Sequence, residues 1–275
     1  MDPLFDHLVD DAALFPPALE TMEAALPAYR VAAPHPVLGR FLCPASRLDE
    51  LSANLVPEDL VDLGIIADTG AEGLPAALDA ARAEPRVRPS WIEIPLPQDA
   101  DQARAAAVTI AALPSDLPGY IEIRRADGWR EALDRIAAAR ENGAELGAKI
   151  RMGGAEVPPS YQVAHFIAAC AERSLPFKCT AGLHHAIRDV DPGHHGFLNV
   201  MVATARAAQD PTANLVEALD SADGPALAEE IRRADPAAVR GLLVSYGSCD
   251  IVSPLEDLRG LGLIKAGDVG NDGSS

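Results

Sequence analysis

The sequence predicts an α/β fold, a single-domain (βα)8 TIM-type barrel, on three observations. Short apolar runs alternate with alanine-rich helical patterns at intervals of roughly 25 to 35 residues, the spacing of βα units. The rhythm repeats about eight times in a chain of 275 residues, which is the arithmetic of eight strands each followed by a helix. A doubly wound open sheet is the main competitor. Neither GxGxxG nor a phosphate-binding GxxxxGK pattern follows the first strand, however, and the rhythm does not pause at a switch point.

The elements follow in order. Apolar runs bounded by turn residues place strands at Leu8–Leu14, Gly39–Cys43, Leu60–Ala67 and Ser90–Leu96. The later strands are expected at Gly119–Arg124, Ala148–Met152, Pro176–Thr180 and Leu242–Gly247. Helical patterns follow the first seven strands, among them Leu74–Arg82, Ala100–Ala112, Trp129–Glu141, Ser160–Arg173 and Gly196–Ala208. Pro27 is expected to interrupt the first helix, because proline removes a backbone donor. Residues 209–240 hold an extra helical segment, Leu227–Arg233, before the last strand. The prolines of Pro16-Pro17, Pro95-Leu96-Pro97 and Pro158-Pro159 fall after strands as stiff loop starts. The barrel is assigned to 1–264, and the polar end of the chain, 265–275, to a disordered tail.

Bulk composition narrows the function classes. A formal charge of −18 and a pI near 4.7 set the far field against nucleic acid and anionic membranes. Cys43, Cys170, Cys179 and Cys249 are scattered without a CxxC pair, so neither a zinc ribbon nor a thioredoxin-type motif is present and reduced thiols are expected. The first residues carry no basic region followed by an apolar run, and no segment has eighteen uninterrupted apolar residues. The expectation is a cytoplasmic enzyme with no membrane or nucleic-acid partner, a small-molecule substrate, and a homo-oligomeric assembly suggested by the Ala- and Leu-rich face of 103–113.

Strand side chains alternate between faces, so parity separates the helix-facing set from the barrel interior. On the fourth to seventh strands Ile92, Ile94, Ile121, Ile123, Ala148, Ile150, Phe177 and Cys179 form the apolar set. The opposite set is Glu93, Glu122, Arg124, Lys149, Arg151, Lys178 and Thr180. Burying an unpaired ammonium costs several kcal/mol, about the net stability of a domain, so two lysine strands imply a maintained polar pocket. Two carboxylates against four cations leave a positive interior that suits an anionic carbonyl substrate, with Arg124 and Arg151 holding the anion. The alternative is a self-satisfied salt-bridge ladder filling the barrel. In such a pocket a lysine is expected to have a depressed pKa and to act as a nucleophile towards a carbonyl. Glu122 or a loop histidine would move protons, Glu93 would set the charge balance, and Lys178, which shares its face with Thr180, is the better nucleophile on local pattern.

The strands Lys149-Ile150-Arg151-Met152-Gly153 and Lys178-Cys179-Thr180-Ala181-Gly182 resemble the two lysine strands of deoxyribose-phosphate aldolase and related class I aldolases. The likeness covers about a dozen residues and the barrel rhythm. It implies Schiff-base lyase chemistry without a cofactor, with Lys149 forming the imine and Lys178 lowering its pKa, the reverse of the local preference. The serine-rich phosphate-binding sequence of that family is missing after the late strands, which argues against a phosphosugar.

After the seventh strand, His184, His185, His194 and His195 fall within twelve residues. A loop there would overhang the pocket, and adjacent histidines in extended chain point to opposite sides. One histidine of each pair is therefore expected at the site, as general acid or base. His185 and His195 are the candidates. With Asp191 or Asp189 they form the alternative site for a divalent metal such as zinc, serving a metal-dependent lyase, isomerase or hydrolase. Asn199 is a candidate to orient a substrate carbonyl, and Ser248 in the Gly-Ser turn of the last strand a candidate anion contact. Asp10, Asp11 and Asp68 place carboxylates near the rim, for a proton relay, a metal, or, for Asp68, a helix cap. Cys249 has no base beside it in sequence. A non-catalytic metabolite-binding barrel accounts for the same cations.

Overall fold

The computed structural model describes residues 2–124, 126–155, 157–189 and 193–265. Eight parallel strands close in sequence order: β1 (Val9–Asp11), β2 (Leu38–Pro44), β3 (Val61–Ile66), β4 (Val87–Pro95), β5 (Gly119–Glu122), β6 (Leu146–Arg151), β7 (Phe177–Thr180) and β8 (Leu243–Ser248). β1 pairs with both β2 and β8, so the sheet has no edge. Each expected strand overlaps its observed counterpart, and the (βα)8 barrel is the fold of the chain. Of the expected tail, 266–275 lies outside the described residues.

The helices follow the pattern with three differences. The first, α1 (Met22–Ala32), runs through Pro27 rather than stopping there. Pro27 lies on the solvent side, with Met22, Ala25, Leu26 and Tyr29 facing inward, so water can satisfy the carbonyl that loses its partner. After α2 (Leu48–Asn54), α3 (Gly70–Ala83), α4 (Gln102–Ala112), α5 (Trp129–Glu141), α6 (Ser160–Glu172) and α7 (Phe197–Gln209), residues 209–240 form parts of three short helices rather than one. These are α8 (Leu215–Asp220), α9 (Gly224–Arg232) and α10 (Pro236–Leu242). Their position explains why α7 is apolar almost all round: Phe197 stacks on Tyr246 of β8 on one side, and α6, α8, α9 and α10 pack against the rest. Beyond β8, α11 (Val252–Gly260) completes the ring, an element the sequence pattern did not predict.

The barrel interior is built in tiers. Trp91 on β4 and Tyr120 on β5 meet edge to face, with centroids 5.5 Å apart. Their bulk requires glycine beside them: a Cβ on Gly64 would stand 2.8 Å from Trp91 Nε1, and one on Gly147 2.7 Å from the Tyr120 ring. Above these rings lies the charged tier, and above that the C-terminal mouth. The helix-facing residues from Ile92 to Cys179 are all part of the buried hydrophobic core, as strand parity requires. No helix among the described residues is long and apolar enough to cross a membrane.

Candidate active site

Register places Glu122, Lys149 and Lys178 side by side on β5, β6 and β7. Lys149 Nζ lies 2.7 Å from Glu93 Oε2 and 3.1 Å from Glu122 Oε2. Lys178 Nζ lies 2.8 Å from Glu93 Oε1 and donates to Asp10 Oδ2 at 2.6 Å. Asp10 on β1 joins the interior set that strand parity gives on the fourth to seventh strands. It stands within the barrel rather than at the rim, and also accepts from Ser245 Oγ at 2.6 Å and from the Arg40 amide at 2.9 Å. Of two adjacent aspartates on a strand, one must face inward, so the Asp10-Asp11 doublet carried the signal.

The two lysines differ in access. Lys178 is 1% exposed, with its ammonium over the Trp91 ring, 3.4 Å from the centroid. It lies beneath the mouth and does not line it. Lys149 forms part of the floor of an open cavity of about 740 Å³, within the size range of small-molecule sites. Glu122 stands beside it on the floor, and its Oε1 lies 3.1 Å from Arg124 Nη1 and 3.3 Å from Arg151 Nε. Both arginines reach the cavity with part of the guanidinium in solvent, and Thr180 lines it as well. The set therefore holds three carboxylates (Asp10, Glu93, Glu122) and four cations (Lys149, Lys178, Arg124, Arg151), for a net charge of +1. The ladder is present, and it opens at its upper end onto a cavity.

Charge sharing decides the protonation states. Burial alone would favour the neutral Lys149 amine, but Glu93 and Glu122 outweigh it and the net shift is upward. The expected depression of a lysine pKa is thus not found for Lys149, because two carboxylates rather than cations are its nearest neighbours. Burial raises Glu93, yet Lys149 and Lys178 bring it down to about 2. Glu122 follows the same pattern, its burial overcome by Lys149, Arg151 and Arg124. Asp11, turned away from Asp10 and bonded by the Ala13 amide at 2.8 Å, is pushed up to about 6 by burial. Asp68 lines the cavity and accepts from the Ser46 amide at 3.1 Å, so it links two loops instead of capping α3.

The histidine loop turns one residue of each pair to the cavity, and it turns His184 and His194 there rather than His185 and His195. His185 is exposed, with Nδ1 3.2 Å from Asp257 Oδ2 on α11. His195 is buried, and its Nε2 donates to the Pro158 carbonyl at 2.6 Å. The choice within each pair rests on the loop's return path: the Phe197 amide bonds the His185 carbonyl and the Asp189 amide the His194 carbonyl, contacts a one-dimensional pattern does not contain. Asn199 is fully buried and ties this loop to the segment after α7. It accepts from the Arg188 amide at 2.8 Å and donates to the carbonyls of Ala218 and Ser221 at 2.7 and 2.8 Å, which leaves it a structural clamp away from the cavity. Ser248, 1% exposed, spends its hydroxyl proton on the Asp250 carbonyl at 2.6 Å. Asp191 lies outside the described residues. Among the described residues no group of three His, Cys, Asp or Glu side chains is placed to hold a metal ion.

Cys249 is the residue that sequence reasoning undervalued. Its base is distant in sequence and close in space: Sγ lies 3.7 Å from His184 Nδ1 and 3.9 Å from Nε2, and both residues line the cavity. Comparison of the chain with family models, with curated proteins and with solved structures gives no match.

Proposed function

We propose that this chain is an enzyme for a small anionic carbonyl compound, with Lys149 forming an imine in a carbon-carbon lyase reaction or the reverse condensation. A (βα)8 barrel most often carries an enzyme, with its site at the C-terminal mouth, but fold alone does not fix a reaction. The observation that carries the reading is that Lys149, of the chain's three lysines (Lys149, Lys178 and Lys265), reaches the mouth cavity beside two arginines. That assignment agrees with the aldolase resemblance and differs from the local preference for Lys178.

Lys149 rests as an ammonium, so it must lose a proton before it attacks. An anionic group drawn to Arg124 and Arg151 would pull both guanidiniums from Glu122, remove two of the charges that hold its pKa down, and leave it the better proton acceptor 3.1 Å from Nζ. The neutral amine then adds to the carbonyl carbon, and the carbonyl oxygen leaves as water after taking up two protons. Lys178, held by Asp10 and Glu93, lies below the reacting centre. Reduced thiols throughout the described chain fit a cytoplasmic setting.

Borohydride trapping with pyruvate and with glyoxylate tests the reading. Mass spectrometry should find one reduced adduct, on Lys149, and Lys149→Ala should abolish it together with turnover. Full turnover in Lys149→Ala would end the imine reading. Saturable binding with neither adduct nor turnover would make the barrel a metabolite-binding protein.

A further inference from the structure

We propose that Cys249 is a second nucleophile of the mouth cavity, with His184 as its proton acceptor, and that it captures small anionic aldehydes as a reversible hemithioacetal. The inference uses the anion-binding arginines of the proposed site but does not require an imine at Lys149.

The geometry assigns the imidazole tautomer. Ser248 has a single hydroxyl proton, which goes to the Asp250 carbonyl at 2.6 Å. Towards His184 Nδ1, 3.4 Å away, Ser248 Oγ is therefore an acceptor. That contact places the ring proton on Nδ1 and leaves the Nε2 lone pair as the acceptor. Sγ stands beside the ring, 3.7 Å from Nδ1 and 3.9 Å from Nε2, so a small rotation of the thiol brings its proton to Nε2. A nucleophile, a base and a third group that orients the base form the arrangement by which thiols are activated. Cys249 also has access that the other thiols lack. Cys43, Cys170 and Cys179 are buried in the core, whereas Cys249 is half-buried and lines the cavity.

Burial pushes the Cys249 thiol up and the His184 imidazole down, so the pair rests neutral and the proton moves during the reaction. Asp250 and Asp11 act on the thiol through space, and Asp250, His194 and His185 on the imidazole. In the step itself the thiol proton passes to Nε2 as the sulfur-carbon bond forms, and the carbonyl π pair moves to oxygen. The imidazolium then returns the proton to that oxygen. No oxidant or further reactant enters, and the reverse sequence releases the aldehyde. Arg124 and Arg151, lining the same cavity, supply the preference for an anionic aldehyde.

Carboxymethylation by iodoacetate, followed by peptide mass mapping between pH 6 and 9, tests the pair. Cys249 should be labelled well ahead of the three buried thiols. At pH 7 His184→Ala and His184→Gln, each checked for native circular dichroism, should both slow labelling at least tenfold. The wild-type pH profile should follow imidazole titration on its acid limb, and the variants a single thiol titration. Equal rates and equal profiles in wild type and His184→Gln would overturn the pairing. Glyoxylate should slow labelling saturably in wild type and in Lys149→Ala alike. If it gives no protection in wild type, or if protection disappears in Lys149→Ala, aldehyde capture by the thiol is overturned. The second outcome would point instead to an imine at Lys149, which keeps the two proposals separable.

Discussion

Replacing each barrel lysine by methionine should separate structural from chemical work. In Lys178→Met, the Asp10 carboxylate loses its 2.6 Å ion pair while fully buried, and Glu93 retains the Lys149 ion pair and the Trp91 Nε1 donor at 3.1 Å. Stranding a buried charge by deleting its partner costs about 3–5 kcal/mol. In Lys149→Met, Glu93 keeps Lys178 at 2.8 Å, and Glu122 keeps Arg124 at 3.1 Å and Arg151 at 3.3 Å. No carboxylate is stranded, so the loss is that of a charge-assisted hydrogen bond, about 1.5–3 kcal/mol. Urea unfolding at pH 7, followed by tryptophan fluorescence and circular dichroism, measures both. With a urea slope near 3 kcal/mol per molar, Lys178→Met should lower the midpoint by about 1–1.7 M and Lys149→Met by no more than about 1 M. Activity and borohydride trapping should rank them the other way, with Lys149→Met inert and Lys178→Met, where folded, still forming an adduct on Lys149. A Lys149→Met variant less stable than Lys178→Met, or an adduct found on Lys178, would refute the division of labour.

Three further outcomes are expected. Asp11 has its folded pKa raised from 3.8 to about 6, so its contribution is complete below pH 3.8 and is lost as pH rises through 6. Asp11→Asn should flatten that slope and raise stability at pH 7 by up to about 3 kcal/mol, read from melts at pH 4 and pH 7. Glu93 has its folded pKa lowered from 4.5 to about 2, so its contribution is present above pH 4.5 and falls away towards pH 2. Acid titration of wild type should show that loss, on the order of 3 kcal/mol, and Glu93→Gln, less stable at pH 7, should not. Arg124→Ala and Arg151→Ala should each raise KM for an anionic carbonyl substrate by about 10- to 100-fold in steady-state kinetics, with the wild-type advantage shrinking as salt is added.

Much of this was legible in the sequence, for reasons that can be named. Strand parity has period two and no dependence on context, so Glu93, Glu122, Lys149 and Lys178 read as one interior set from sequence alone. Parity does not give depth, and only the stacking of tiers shows that Lys149 reaches the cavity while Lys178 sits on Trp91. A depressed lysine pKa does not follow for Lys149, because the carboxylates 2.7 and 3.1 Å away outweigh the net positive charge, and a sequence does not show which group touches which. The histidine doublets announced themselves, but the member facing inward depends on how the loop returns to α7. Cys249 and His184 are separated by 65 residues and meet only because β7 and β8 are neighbours.

The interior charge row also bears on how the barrel assembles. Within the charged tier the carboxylates Asp10 and Glu93 come from β1 and β4, while Lys149 and Lys178 come from β6 and β7, so in that tier the first four strands bring acid and the last four bring mainly base. Either half folded alone would leave buried charges short of partners. Asp10 and Glu93 would lack both lysines, and in the second half Glu122 would be the one interior carboxylate of the set facing Lys149, Arg124 and Arg151, with Lys178 unpaired. Asp10 must wait 168 residues for Lys178. Half-barrels are therefore poor resting points on the way to the native state, and closure between β1, β7 and β8 is the event that makes the polar interior tolerable. The same polarity makes the two halves mutually attractive, so fragments cut between β4 and β5 would recognise each other through their cores, and less readily in high salt.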